Sequence, residues 1–507
     1  MLALFSKRPF LTIVIVFVLY TIAALYSSPY PKGSDQYWNT SNIDRVVHGD
    51  GQYRTNNIFP ASMPGSISDL PRPWVQNRPV VYLATSFAYI FRNANASFII
   101  LNSLCLFVAA FLLFQLMTFA NRHSRESALL VSILFLLFPL NFYLVTQALP
   151  EIFNEFLAIS VAYLLVFAPA GSTRFILVAF FCGALIYQRD TNILLLPFIA
   201  LYYILFERKN ALAGIISLAL ITFLCILIKP YLFPSHNIEP LDGWAVITSV
   251  RPGTSDMINY LYRDLPPVSI PQGIKIIAVK FVSALQFQFI PTAATGMFFW
   301  LINLLLLILV AVIIRWKRLS VNGRELLFLA VSFVLLHFAT VVLFRNQYRF
   351  AAIIIPYLAI AMFLAFDQYK WIGPISRRIV MIAGLLFLGI NAVTGFQNRK
   401  AAIRENKEVL LLRDAKEKFI GNRSLLVHRF DAANSLIAAY AFSPNYCYYF
   451  PGDADFGQLV KAGKLLNTDL MVLKKDTKVY ERFVPYITHE QVIDQPRKLV
   501  LVNFRSN

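Results

Sequence analysis

The chain has 507 residues, 58% of them hydrophobic and 14% charged, with 45 Phe and a formal net charge of +19. Soluble domains carry roughly a quarter charged residues, and they cannot hide this much apolar surface, whereas lipid accepts it on every face of a helix. The excess of Lys and Arg does not mark a nucleic-acid binder, because it is scattered in short clusters between apolar runs rather than gathered in one basic tract.

The first apolar stretch, 10–26, follows Lys7 and Arg8 and has no small-residue cleavage site behind it, so it reads as a retained span. Further stretches of spanning length follow at 97–119, 127–146, 150–168, 175–188, 191–206, 211–228, 294–314, 325–344, 350–367 and 379–396. The basic connections alternate along this series. They are Lys7-Arg8, Arg122 with Arg125, Arg174, Arg208-Lys209, Arg315 to Arg318 with Arg324, and Lys370 with Arg377-Arg378. All fall on the cytoplasmic side if the N-terminus does. The expectation is an all-α polytopic membrane protein with about eleven crossings.

That topology leaves four segments outside. The loop 27–96 contains Pro79–Phe91, which is apolar but too short to cross and reads as an interfacial helix. A tight turn lies at Gln147–Glu151, and a longer external segment at 229–292 contains the amphipathic Ile274–Phe289. Residues 1–396 thus form the membrane domain, and 397–507 form an external tail of soluble composition. In the tail, a charged helical pattern at Glu405–Phe419 precedes strand-like Ser424–Phe430, Tyr446–Phe450 and Leu470–Leu473, with helices near 432–442 and 455–466. This alternation predicts a small α/β domain. No Gly-rich phosphate loop or nucleophile motif is seen in it. Cys105, Cys182 and Cys225 sit inside apolar runs and Cys447 stands alone, so neither a metal site nor a disulfide framework is indicated.

Charges near the membrane are costly and therefore informative. Asp35 follows the first span closely, Asp50 lies in His-Gly-Asp-Gly, and Glu151 opens the fourth span. Arg189-Asp190 occupies a tight turn, and Arg345 and Arg349 flank another. Outward-facing arginines run against the positive-inside pattern, and they suit phosphate, which a guanidinium binds bidentately. A carboxylate among them could take the proton of an attacking hydroxyl while the cations neutralise a departing phosphate. Plainer roles fit as well: Asp50 as a turn residue, Arg189 and Asp190 as partners of each other, Arg345 and Arg349 as snorkelling to headgroups, and Glu151 at a helix N-terminus.

In this order, these residues resemble the integral-membrane glycosyltransferases of the GT-C fold, in the branch of protein O-mannosyltransferases and the lipid A aminoarabinose transferase. Gly33 to Trp38 is similar to the family's acidic segment after the first span. Asn77-Arg78-Pro79 to Leu83 resembles its Pro-bearing interfacial helix, and Ala148 to Glu151 its acidic mouth of the fourth span. Gln188-Arg189-Asp190 with Leu194–Pro197, and Tyr348-Arg349-Phe350 with Ile355-Pro356, resemble its basic motifs. Two departures stand out. Asp35 is followed by Gln36 where many protein mannosyltransferases have a second acid, and the His-Pro-Pro motif is reduced to Arg-Pro.

The resemblance implies transfer of a sugar from a polyprenyl-phosphate-linked donor to an external glycan or lipid acceptor. Asp35 would be the general base, with Glu151 and Asp50 as further acids. Arg189, Arg349 and Arg345 would bind the donor phosphate, and Tyr37, Arg78 and Asp190 the substrate. It implies no organic cofactor, although a divalent cation assists some relatives, and no metal-ligand spacing is visible. A surface-polysaccharide polymerase or ligase using a diphosphate carrier stays open. So does a lipid or sugar transporter, against which stand the absence of internal repeats and the gathering of charge at one face. A structural subunit would need no single acid. Three sequons, at Asn39, Asn95 and Asn422, would face outward. The compact loops nevertheless suggest a bacterial inner membrane with the site facing the periplasm.

Overall fold

The structure, a computed structural model, describes residues 8–32, 34–49, 78–121, 124–169, 171–188, 190–232, 269–290, 296–343, 348–368, 374–428, 440–443, 445, 447–450, 456–495 and 498–504. Asp50, Arg189 and Arg345 lie outside the described residues, as does most of the expected helix at 432–442.

The apolar runs form helices α1 (Pro9–Ser27), α4 (Ala94–Ala120), α5 (Arg125–Leu136), α6 (Pro139–Val145), α7 (Glu151–Phe167), α8 (Ser172–Gln188), α9 (Leu196–Phe206), α10 (Ala211–Leu232), α12 (Gly296–Ile314), α13 (Val321–Leu343), α14 (Ile355–Gln368) and α15 (Pro374–Ala415). Between α1 and α4 lie α2 (Ser34–His48) and α3 (Arg78–Phe91), and α11 (Ile270–Phe289) precedes α12. Each of the eleven expected stretches overlaps helical residues, yet fewer qualify as unbroken spans. Among the described residues, four helices are long and apolar enough to cross a membrane, and the bent pair α5–α6 makes a fifth. Most of the others are shorter. Two helices, one of them the span Arg349–Phe366, begin as 3-10 turns, at Asp190–Leu195 and Tyr348–Ile354.

The breaks have local causes. Pro139 opens α6 and offers no backbone donor, and Phe138 before it is held at ψ 127°, outside the helical region. The two halves therefore meet at 49°. Helix α4 runs through the middle of the bundle and packs against α1, α3, α5, α7, α13 and α14. Its start is capped by Asn93, whose side chain accepts from the Ala96 amide at 2.9 Å. Small residues let backbones approach, as lipid-embedded helices require. A Cβ at Gly183 would come within 2.6 Å of Cys225 Sγ, and one at Gly395 within 2.5 Å of Ser27 Oγ. Gly395 thus seats α15 against the end of α1.

Helix α15 is 42 residues long, about 63 Å at the usual rise, twice the hydrocarbon thickness of about 30 Å. It carries through the expected boundary at 396/397 without a break, so the last span and the charged pattern as far as Ala415 belong to one continuous helix, which ends in a π turn at Lys416–Ile420. Lipid-facing Ile382, Leu385, Leu388 and Phe396 are exposed on its first half. Its second half covers one face of a five-stranded sheet.

The sheet holds β1 (Leu425–His428), β2 (Cys447–Phe450), β3 (Leu470–Lys474), β4 (Ile487–Asp494) and β5 (Leu499–Phe504) in the order β2-β1-β3-β5-β4. The first three strands are parallel, and β5 and β4 add antiparallel. Leu425, Val427, Leu470, Val472, Leu499 and Leu501 face Val409 and Leu412 of α15. Leu426, Met471, Leu473, Val500 and Val502 face the other way, onto α16 (Phe456–Leu466) and α17 (Lys478–Phe483). Covered on both faces, the inner strands read as unbroken apolar runs. The first three strands match the sequence reading. The exposed polar edge strand β4 gave no apolar run to find, and it was absent from that reading, as was β5.

Candidate active site at one end of the bundle

Helix α2 is polar in sequence and yet deeply buried, wedged between the bundle and the tail. Gln36, Asn39, Thr40, Ser41, Asn42 and Arg45 are all at most 2% exposed. Such burial is stable only where the polar groups find partners. The Gln36 amide donates to Gln147 Oε1, and Asn39 Nδ2 donates to the Ala148 carbonyl at 2.6 Å. From α4, Asn102 Nδ2 donates to the carbonyls of Gln147 at 3.0 Å and Leu149 at 3.3 Å. The turn between α6 and α7 is thus fixed from two sides, and one of them is the helix that bears Asp35.

The tail holds the other side of α2. The Tyr37 phenol donates to Glu405 Oε2 on α15 at 2.8 Å, and its ring lies 5.3 Å from that of Tyr440. Arg45 Nη2 donates to the Asn445 carbonyl at 3.1 Å. Burial, and then the nearby Glu405 carboxylate, push the Tyr37 phenol well above its ordinary range, so it stays a hydrogen-bond donor. Tyr37, read as a substrate-binding residue, is 1% exposed, and the contacts of its side chain lie within the protein. Lys32, just before α2, is also nearly buried, with Nζ 5.9 Å from the Tyr143 ring. Burial pulls its ammonium down to about 7, while Glu405 opposes the shift.

Glu151 follows directly from the fixed turn. It occupies the first turn of α7, where the helix dipole favours a carboxylate, and its side chain is 2% exposed. Arg349 Nε lies 3.4 Å from Glu151 Oε1, and the arginine side chain is 21% exposed. Arg349 stands in the 3-10 turn Tyr348–Ile354, which packs against α7. One turn further along α7, Asn154 Oδ1 accepts from Asn192 Nδ2 at 2.8 Å. That bond ties in the 3-10 turn that Asp190 opens. Glu151, Arg349 and the turn bearing Asp190 therefore gather around the first two turns of α7, and α2 is tied to the loop leading into it. Asp35 takes the second position of α2, and Arg78 opens α3, which packs against α2.

The sequence reading missed Lys32, Gln36, Asn39, Gln147 and Glu405. A signal was available for Gln36 and Asn39, since polar residues at positions 36, 39 and 40 share one face of α2 beside Asp35. Nothing local announced Glu405, whose partner is 368 residues away. Two of the three sequons are not open acceptors in this fold. Asn39 and Asn95 are at most 3% exposed, and the Asn95 side-chain amide donates to the Ser28 carbonyl at 2.8 Å.

These features define an integral membrane protein whose buried polar site lies at one end of a helical bundle, under a mixed sheet. Its fold is shared with two solved structures. The structure of ArnT from Cupriavidus metallidurans bound to undecaprenyl phosphate aligns with 12% identity and a TM-score of 0.56, covering 97% of each chain. ArnT of the same organism in the apo state aligns with 11% identity and a TM-score of 0.55, over 96% of this chain and 97% of that one. No family pattern matches the sequence, and no curated protein matches it significantly.

Proposed function

We propose that the protein is a membrane glycosyltransferase. It moves a sugar from a polyprenyl-phosphate-linked donor to an extracytoplasmic glycan or lipid acceptor, with its site facing the periplasm of a bacterial inner membrane. The observation that carries this reading is the Glu151–Arg349 pair. A buried acid and a partly exposed guanidinium stand at one end of a bundle whose fold is shared, end to end, with a protein solved with undecaprenyl phosphate.

Asp35 acts as general base and removes the proton of the acceptor hydroxyl. The oxygen attacks the anomeric carbon as the bond to the lipid phosphate breaks, with inversion at that carbon. Negative charge grows on the departing phosphate, and Arg349 and Arg189 neutralise it, with Arg345 nearby in sequence. Glu151 holds Arg349 in place and keeps its charge compensated before the donor arrives. Gln36, Asn39 and Asn102 fix the turn before Glu151 relative to α2, so that base and cation keep their spacing. Arg78 and Asp190 contact the sugar or acceptor.

The deciding measurement is the mass profile of surface glycans and lipids from cells lacking the protein, complemented with wild type or with Asp35→Asn. A sugar-sized mass that returns only with wild type supports the assignment and identifies the sugar class. An identical profile in all three strains overturns it.

A further inference from the structure

The opposite end of the bundle holds a second, unassigned feature. Helices α1 and α5 both begin there, beside α4, and a cleft of about 450 Å³ opens between them. That volume lies within the range of roughly 300–1,000 Å³ usual for small-molecule sites. Arg8 and Arg125 stand on its rim with Gln115, and Phe10, Phe111 and Phe114 form its walls. The Arg125 guanidinium lies 5.9 Å from the Phe114 ring, and Phe10 packs edge-on against Phe111 at 5.6 Å. Neither arginine forms an ion pair among the described residues. Glu126 in the same turn as Arg125 still leaves the rim net positive.

Three properties of this cleft point to one ligand chemistry. Two guanidiniums from separate elements can each take two oxygens of a phosphate. Both α1 and α5 begin at this cleft, so the positive ends of two helix dipoles lie beside it. Below the rim, the wall continues into lipid-facing surface, where Phe10, Leu11, Ile15, Val18 and Leu19 are between 44% and 63% exposed. A soluble anion would use the rim and gain nothing from that apolar wall. A molecule with a phosphate head and acyl chains would use both.

We infer that this cleft binds an anionic glycerophospholipid of the leaflet opposite the active site, with its phosphate between Arg8 and Arg125 and its chains along α1. The site requires only a bilayer around the helices, so its test is independent of the transfer reaction.

The test is native mass spectrometry of the purified full-length protein titrated separately with phosphatidylglycerol, phosphatidylcholine and undecaprenyl phosphate. Wild type is expected to retain one phosphatidylglycerol about tenfold more strongly than phosphatidylcholine, the worth of one charge-assisted contact. In R8Q/R125Q, retention falls to the phosphatidylcholine level. R8K/R125K keeps most of it, and R315Q/R318Q, basic but outside the cleft, keeps all of it. Equal retention of the two phospholipids by wild type, a preference for undecaprenyl phosphate, or undiminished retention in R8Q/R125Q overturns the inference. The wild-type comparison decides the matter even if R8Q/R125Q fails to fold.

Discussion

Two glutamate–arginine pairs sit at opposite ends of the bundle and show how the same residues serve different ends. Arg174 on α8 contacts the Glu207 carboxylate directly, and its Nε also donates to the Ala168 carbonyl at 2.7 Å. Beside it, Tyr202 donates to Glu325 and contacts the Leu165 carbonyl at 3.0 Å, so several helix ends are bound together. Glu151 and Arg349 are separated by 3.4 Å, the acid is almost sealed, and the arginine comes from a 3-10 turn rather than a helix. A close pair knit into helix ends stabilises the fold. The proposed function takes the other pair, whose cation is partly exposed, as arranged for a ligand. Burial alone does not separate the two; the reach of the guanidinium does.

The sharpest way to break this distinction is at the proposed base. Asp35→Asn should lower transfer by about 10²–10⁴-fold, the usual worth of general base catalysis, with protein levels in the membrane unchanged. Arg349→Ala should come next, raising the apparent KM for the lipid-linked donor by about ten- to a hundredfold for a lost charge-assisted contact. Its Tm should fall as well, because Glu151 is left buried without its cation. Arg174→Gln should affect stability alone. It should lower stability by about 1–3 kcal/mol through the unpaired Glu207, seen as a lower Tm in detergent, with the KM of surviving enzyme unchanged. A donor-KM effect at Arg174 as large as that at Arg349 would dissolve the comparison.

The smallest effect concerns Lys32. Its ammonium is held at about 7 in the folded protein, against 10.5 ordinarily. Between those values the unfolded chain binds more protons, so the group makes stability rise as pH rises from about 7 to about 10.5. Lys32→Met should flatten that rise, as Tm measured across the alkaline range would show. A slope identical to wild type would mean that the amine is not buried in solution.

Much of this was legible in the residues. Runs such as 97–119 must be helical in lipid, because every backbone polar group there needs an internal partner. The inner strands were readable because sheets covered on both faces keep no polar alternation. Pro139, by contrast, lay inside an apolar run, so the single expected span at 127–146 became two helices at an angle. The charged half of α15 looked like the start of a separate tail, since composition changes at 397 while the helix does not.

By itself the sequence determined that the chain lives in a bilayer, that its candidate acids and arginines lie at the ends of apolar runs, and that strands follow the last span. Those follow from hydrophobicity and local periodicity, which neighbouring residues settle among themselves. Only the tertiary structure decided that α2 is buried, that Tyr37 belongs to the core under the sheet, and that Glu151 meets Arg349. Each of these depends on partners separated by about 110 to 370 residues, as Gln36 from Gln147 and Tyr37 from Glu405 show. Pairings at that distance are chosen by how the helices pack, and no local pattern encodes them.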